Sequence, residues 1–374
     1  MTRRAFLCAA AGLPLSLATG CRGRQAFSGY AFVANQEGRA IAAVDLGVFA
    51  VAKHIPLDGN PAAVVASPVS SRIYALTPDN GRLHEIATEK LALVRSVSVA
   101  RRAQTMRLAR DGQTMYVLCA DPRKLVAVSM ISLKPEWTAP LAGEPFDFDL
   151  SADGNSIAVS YGAEGWLQFL DVAARRTGPR IDLGAEAGIL RFQGDSTQLI
   201  AANPGERMLN IYQTGSGRLV SKLPLSLRPD RFCFNADGGQ LFVTGEGMDA
   251  VVVVYPYFTP QIGETVLAGH APGAMAASPD FLFVANSKSR DVSILDAASK
   301  KVVAVAPAGT NPAFITITPD GQYALVLNQD SGDMGVIWIP GVTRSVARSR
   351  DRTAALFTMI PVGSKPVSAA VVRV

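Results

Sequence analysis

Phe283-Val284-Ala285-Asn286 decides the fold, because it returns throughout the chain. Its counterparts are Phe32-Val33-Ala34-Asn35, Tyr74-Ala75-Leu76-Thr77, Tyr116-Val117-Leu118-Cys119, Ala158-Val159-Ser160-Tyr161, Ile200-Ala201-Ala202-Asn203, Phe242-Val243-Thr244-Gly245 and Leu325-Val326-Leu327-Asn328. Successive first positions lie 42 residues apart, once 41. Chance does not hold such a register over so many intervals, so the 374 residues form one repeat architecture rather than several unlike domains.

Turn signals precede the segments, among them Asp111-Gly112, Asp153-Gly154, Asp237-Gly238 and Pro319-Asp320-Gly321. After each segment come a polar turn and another apolar run, such as Val292-Ser293-Ile294-Leu295-Asp296, then a third, such as Val302 to Val305. A fourth follows a Gly-x-x-Pro element, as in Pro312 to Ile317. That makes four short strands per unit and no amphipathic helical period. The strands are apolar nearly throughout, as 48% hydrophobic and only 18% charged residues allow. A half-solvated sheet would alternate; these strands are packed on both faces. Four-stranded antiparallel units at this spacing are the blades of a β-propeller, and the all-β fold is expected to have eight, with seven as the alternative. The chain begins on a second strand (Tyr30 to Ala34) and ends on a first strand (Pro366 to Val374). The terminal strand can therefore complete the first blade and close the ring. Closed in this way, the domain (29–374) is expected to be a monomer.

The N-terminus carries an address. Thr2-Arg3-Arg4-Ala5-Phe6-Leu7 resembles a twin-arginine export signal, which would carry the protein across a membrane already folded. A mild apolar stretch follows from Cys8 to Ala18, too short to remain as a spanning helix. It ends in Leu17-Ala18-Thr19-Gly20-Cys21, which resembles a lipoprotein cleavage box. Residues 1–20 are thus expected to be a signal peptide, Cys21 the lipidated residue, and 21–28 a tether reaching at most about 25 Å. The expected place is the periplasmic or cell-envelope face of a bacterial membrane, with lipid on Cys21 as the membrane contact.

With Arg3 and Arg4 removed, the formal charge falls from +5 to +3. So small and dispersed a charge argues against nucleic acid as a partner. Cys119 and Cys233 fall in different repeats and are expected to be free buried thiols.

The repeat letters resemble the YVTN family of propeller repeats, which carries aromatic-Val-Thr-Asn on the second strand, Val-x-Val-Ile-Asp on the third and Gly-x-x-Pro before the first. Phe32 to Asn35, Phe283 to Asn286 and Val292 to Asp296 match well. The resemblance covers about residues 29–374, and around 116–200 spacing survives better than letters. The family is similar to lactonase-type propellers and to the eight-bladed domain of haem d1 proteins. It therefore implies a lactonase-like hydrolase, or a protein handling haem d1 or a related cofactor, as alternatives to a binding role.

The loops joining the fourth strand of one blade to the first of the next surround the central channel on one face. The residues just before the Pro position are Asn60, Arg102, Glu144, Glu186, Arg228, His270, Asn311 and Lys365, all polar. They are expected to ring the funnel mouth and to hold an unknown small ligand or protein partner. The loops after the second strands share that face and add Asn35, Asn203, Glu206, Asn286, Lys288, Arg290 and Asn328, the four Asn as turn caps.

Motifs of catalysis are missing: there is no His-Glu-x-x-His, Cys-x-x-Cys, Gly-x-Ser-x-Gly or phosphate-binding Gly-rich loop. Of the three histidines, His54 and His84 read as strand or turn residues, and only His270 falls at the mouth. A hydrolase would have to use Glu144 or Glu186 with His270 and an Arg. Trp137, Trp166 and Trp338 are too few for a quinone-cofactor propeller, and the turn from Asp330 to Gly335 matches a Ca²⁺ loop poorly. No catalytic residue, metal or cofactor is assigned, and a non-catalytic binding protein is the expectation. The last repeat carries an insertion, Gly341 to Thr353, with Arg344, Arg348, Arg350 and Arg352. It lies on the face opposite the mouth, where it could meet anionic headgroups.

Overall fold

The computed structural model describes residues 27–342 and 356–373. The leader, Cys21, the tether up to residue 26 and the four arginines of the insertion lie outside the described residues. The chain folds into eight four-stranded antiparallel sheets arranged as a propeller. Eight, not seven, is the number of blades.

Blades 2 to 8 are each built from four consecutive strands, running from Ala63–Ala66 in blade 2 to Leu356–Pro361 in blade 8. Blade 1 is assembled from both ends of the chain. Gly29–Asn35, Ala40–Asp45 and Ala50–Pro56 supply three strands, and Pro366–Arg373 supplies the innermost. The terminal strand pairs antiparallel with the first, from Gly29 opposite Arg373 to Asn35 opposite Pro366.

The core explains the unbroken apolar runs. Among the described residues it divides into eight clusters, each lying between two neighbouring blades. Successive residues of one strand serve opposite neighbours. Ala31 and Val33 pack toward Tyr323 and Leu325 of blade 8, whereas Phe32 and Ala34 pack toward Ile73 and Ala75 of blade 2. A polar residue at either alternation would sit inside an interface. The turn glycines Gly112, Gly154, Gly238 and Gly321 all have left-handed φ, between 68° and 77°, at the predicted Asp-Gly positions.

The two expected free thiols differ. Cys119 is buried, but Cys233, on the innermost strand of blade 6, is only half-buried, because that edge borders the channel. Burial pushes the Cys119 thiol up to about 11 and the Cys233 thiol up to about 12.

Candidate functional site: the funnel mouth

The mouth is held open by a contact repeated around the ring. The buried Asn ending the second strand lies under the glycine that opens the inner loop leading into its own blade. In blade 7, Asn286 donates from Nδ2 to Asp291 Oδ1 at 2.6 Å and to Ser293 Oγ at 2.9 Å. A Cβ on Gly269 would lie 2.5 Å from that same Nδ2. Gly309 over Asn328 and Gly363 over Asn35 repeat the arrangement. In blades 1 and 5, Asn35 and Asn203 donate to the carbonyls of Val362 and Leu183 at 2.6 and 2.7 Å. All four Asn are buried and brace loops, as their position as turn caps predicts.

All eight ring positions lie on this face. His270 needs one correction: Ala271, not His270, immediately precedes Pro272, and it shares the left-handed φ of Asn311 and Lys365. His270 therefore sits one residue farther out, against the loop that follows Asn286. Lys288 N–H donates to the His270 carbonyl at 3.2 Å.

The ring is not a uniform crown. Arg102 pairs with Glu144 at 3.7 Å, both well exposed. Asn60 takes Asp79 through its backbone N–H, Asn311 donates to Asp330, and Lys365 pairs with Glu37 at 3.4 Å. The Glu186 carboxylate meets Arg228 at 2.7 Å, and Asp249 meets His270 Nδ1 at 2.7 Å.

These last two pairs border one trough. Glu186, Gly188, Pro204, Arg228, Asp230 and Glu246 line a depression of about 360 Å³. Asp230, Glu246, Asp249, His270, Ser287 and Lys288 line a second of about 600 Å³, and the shared Asp230 and Glu246 join the two. The trough crosses blades 5 to 7. Four carboxylates line it with Arg228 and Lys288, and Arg231 pairs with Asp230 at 3.5 Å from beside it, so a small negative excess remains and favours a cationic or zwitterionic occupant. The Ala271 N–H and the imidazole hold Asp249 below the ordinary carboxylate range. An ionised Asp249 fixes the Nδ1–H tautomer of His270 and leaves Nε2 as the acceptor. Among the described residues, none bonds that Nε2.

Asp230, Glu246 and Asp249 are the contributors that the ring pattern missed. Asp230 directly follows the Pro position, Glu246 ends the second strand and Asp249 stands just before the third, places where a polar residue is ordinary. A second charged feature lies deeper, on the innermost strands of blades 3 to 5. Arg107 reaches Asp147 at 3.4 Å and Asp149 at 3.3 Å, and Arg191 reaches Asp147 at 3.1 Å. Asp147 and Asp149 also accept the Leu190 and Phe192 N–H groups of blade 5 at 3.1 and 2.8 Å. Burial raises the Asp149 carboxyl against the pull of Arg191 and Arg107. All four charges are internally matched, which makes the cluster a clamp between blades. Its signal was legible as Phe146-Asp147-Phe148-Asp149, an alternation in a strand that should be apolar. Among the described residues no three His, Cys, Asp or Glu side chains are grouped to hold a metal ion.

No family model and no curated protein matches the sequence. Solved structures match the fold. Dihydro-haem d1 dehydrogenase NirN, solved in complex with DHE, superposes with a TM-score of 0.72 at 15% identity, over 93% of this chain and 76% of that one. Hydrazine synthase of Kuenenia stuttgartiensis gives 0.58 at 16%, over 75% and 99%. A functionally unknown protein from Desulfotomaculum acetoxidans gives 0.58 at 17%, over 74% and 95%. The chain is a β-propeller. At these identities the likeness extends to the fold alone.

Proposed function

We propose that this propeller is an exported, lipid-anchored protein of the bacterial cell envelope, of the YVTN kind, whose mouth binds a ligand through a cationic group and does not convert it. The ligand is a small polar molecule or the basic side chain of a protein partner. The observation that carries the reading is the trough across blades 5 to 7. Its two parts have small-ligand dimensions, and Glu186, Asp230, Glu246 and Asp249 outnumber Arg228, Lys288 and the Arg231 that pairs with Asp230. The twin-arginine and lipobox letters up to Cys21 support the location.

Native mass spectrometry of the protein released gently from membranes tests this. A bound species is expected, and it should be lost when Glu186→Gln, Asp230→Asn, Glu246→Gln and Asp249→Asn are combined. Arg102→Ala with Glu144→Ala, outside the trough, should retain it. Retention by the fourfold variant would sink the assignment.

The Asp249–His270 pair favours a second reading, a hydrolase in which Nε2 takes a proton from water. Glu186 lines the other part of the trough, whereas Glu144 is held by Arg102 outside it. Turnover of a lactone, abolished by His270→Asn, would replace the binding reading. Haem d1, which NirN suggests by likeness of fold, fits poorly here. His270 could supply one axial nitrogen, but the macrocycle's own carboxylates would face four more. A colourless protein that leaves added haem d1 unbound is the expected result.

A further inference from the structure

The face opposite the mouth has a character of its own. Among the described residues, five large apolar side chains are more than 60% exposed: Phe258, Ile131, Leu267, Val48 and Val69. Four of them sit at loop tips on that face. Val48 and Ile131 lie between the third and fourth strands of blades 1 and 3, Val69 between the first and second strands of blade 2, and Phe258 between the third and fourth strands of blade 6. Only Leu267 is on the mouth side. Phe258 is fully exposed at the end of a braced loop. Gln193 Nε2 donates to the Pro256 carbonyl at 2.8 Å, and Gly194 N–H donates to the Tyr257 hydroxyl at 3.2 Å. The neighbouring blade thus holds that loop in place with its phenyl ring turned to water. Single exposed apolar residues are ordinary; four on one face, on both sides of the ring axis, are a pattern.

The chain enters the fold at this same face. The Gly29 carbonyl accepts from Leu46 N–H at 3.0 Å, and a Cβ on Gly47, beside Val48, would lie 3.9 Å from the Phe27 carbonyl. The segment leading back to Cys21 therefore starts next to one of the four tips. Five residues separate Phe27 from Cys21, a reach of about 20 Å. Between Val69 and Ile131 a depression of about 620 Å³ opens on this face, lined by Ser67, Ser70 and Met130 among others. Its one buried charge, Glu85, is neutralised by Arg72 at 3.1 Å and Arg95 at 2.7 Å.

We infer that the face bearing Val48, Val69, Ile131 and Phe258 rests on the lipid bilayer that holds Cys21, with the tips inserted among the headgroups and the mouth turned away from the membrane. Aromatic and aliphatic tips suit the interfacial layer, and the anchor supplies the proximity that four side chains alone would not. The inference rests on the lipid anchor of the proposed function. It would also make the mouth accessible to ligands from the aqueous side.

The full lipidated chain in phosphatidylethanolamine–phosphatidylglycerol vesicles provides the test. Single cysteines are introduced as Val48→Cys, Ile131→Cys or Phe258→Cys on one face, and Phe146→Cys or Leu267→Cys on the other. They are labelled with an environment-sensitive fluorophore in a background in which Cys119 and Cys233 are replaced by alanine. Iodide quenching of the first three should fall at least threefold between detergent and vesicles, while the mouth-side labels stay unchanged. Equal quenching on both faces would overturn the inference. Mass spectrometry of the N-terminal peptide reads the anchor separately. Lipid on Cys21 without shielding defeats the resting face alone, and a bare Cys21 defeats the anchor and with it this inference.

Discussion

At the residue scale, the mouth depends on the close approach of a glycine to an amide. Gly269→Ala places a methyl group 2.5 Å from Asn286 Nδ2 and 2.6 Å from Ser289 Oγ. The loop must shift, at a cost of about 1–3 kcal/mol. Asn286→Ala alone loses two hydrogen bonds from a buried amide, with a loss of similar size. Urea denaturation should show the double variant less destabilised than the sum, because Asn286→Ala takes away one of the two groups that the new methyl meets; Ser289 keeps the relief partial. His84 offers a second test. Thr77 Oγ1 donates to Asn80 Oδ1, so His84 Nε2–H donates to Thr77 at 3.0 Å, and Nδ1 is buried with no partner among the described residues. Burial lowers the His84 pKa below 6.5, only partly countered by Asp58. The unfolded chain therefore binds the proton first as pH falls, and stability is lost below about pH 6.5. His84→Gln should flatten the pH dependence of the urea midpoint between pH 7.5 and 5.5; an unchanged slope would assign it elsewhere.

At the scale of the strand, what was legible was whatever repeats. The 42-residue register located every blade, and the apolar runs announced two-sided burial, because every second strand meets two neighbours alike. What the repeat could not show is where the blades differ. Eight polar loop positions look equivalent in sequence, yet only Glu186, Arg228 and His270 border the trough. That choice depends on side chains such as Asp230 and Glu246, which join it from neighbouring positions. The innermost strands make the same point. Asp147 is 8% exposed and ties Arg107 of blade 3 and Arg191 of blade 5 to its own strand. Asp147→Ala leaves two guanidinium groups short of a counter-charge and the Leu190 N–H without its acceptor. A loss of about 3 kcal/mol is expected in urea unfolding, with Asp147→Asn, which still accepts that N–H, losing less.

For the whole molecule, the question is whether the ring or the blade is the unit of stability. Each core cluster belongs to two blades, so a blade removed from the ring keeps none of its interfaces intact. An open array of such units frays from its ends, and a closed ring has no end. The seam is the pairing of Pro366–Arg373 with Gly29–Asn35, and Ala369, Ala370 and Val371 of that strand also enter the cores toward blades 8 and 2. Deleting residues 366–374 should therefore cost more than one strand. It exposes the inner edge of Gly29–Asn35 and loosens both neighbouring interfaces, so the single thermal transition should broaden and the chain should self-associate through the bare edge. A permuted chain separates closure from mere content. Gly29 lies opposite Arg373, so a two-residue turn can join them, with new ends between the exposed Gly215 and Ser216 of blade 5. That chain keeps every strand and moves the seam to an outermost strand. It should unfold in one transition within a few degrees of the parent by calorimetry, while the truncated chain does not. A truncated chain melting as sharply as the parent would show that the blades, and not the ring, carry the stability.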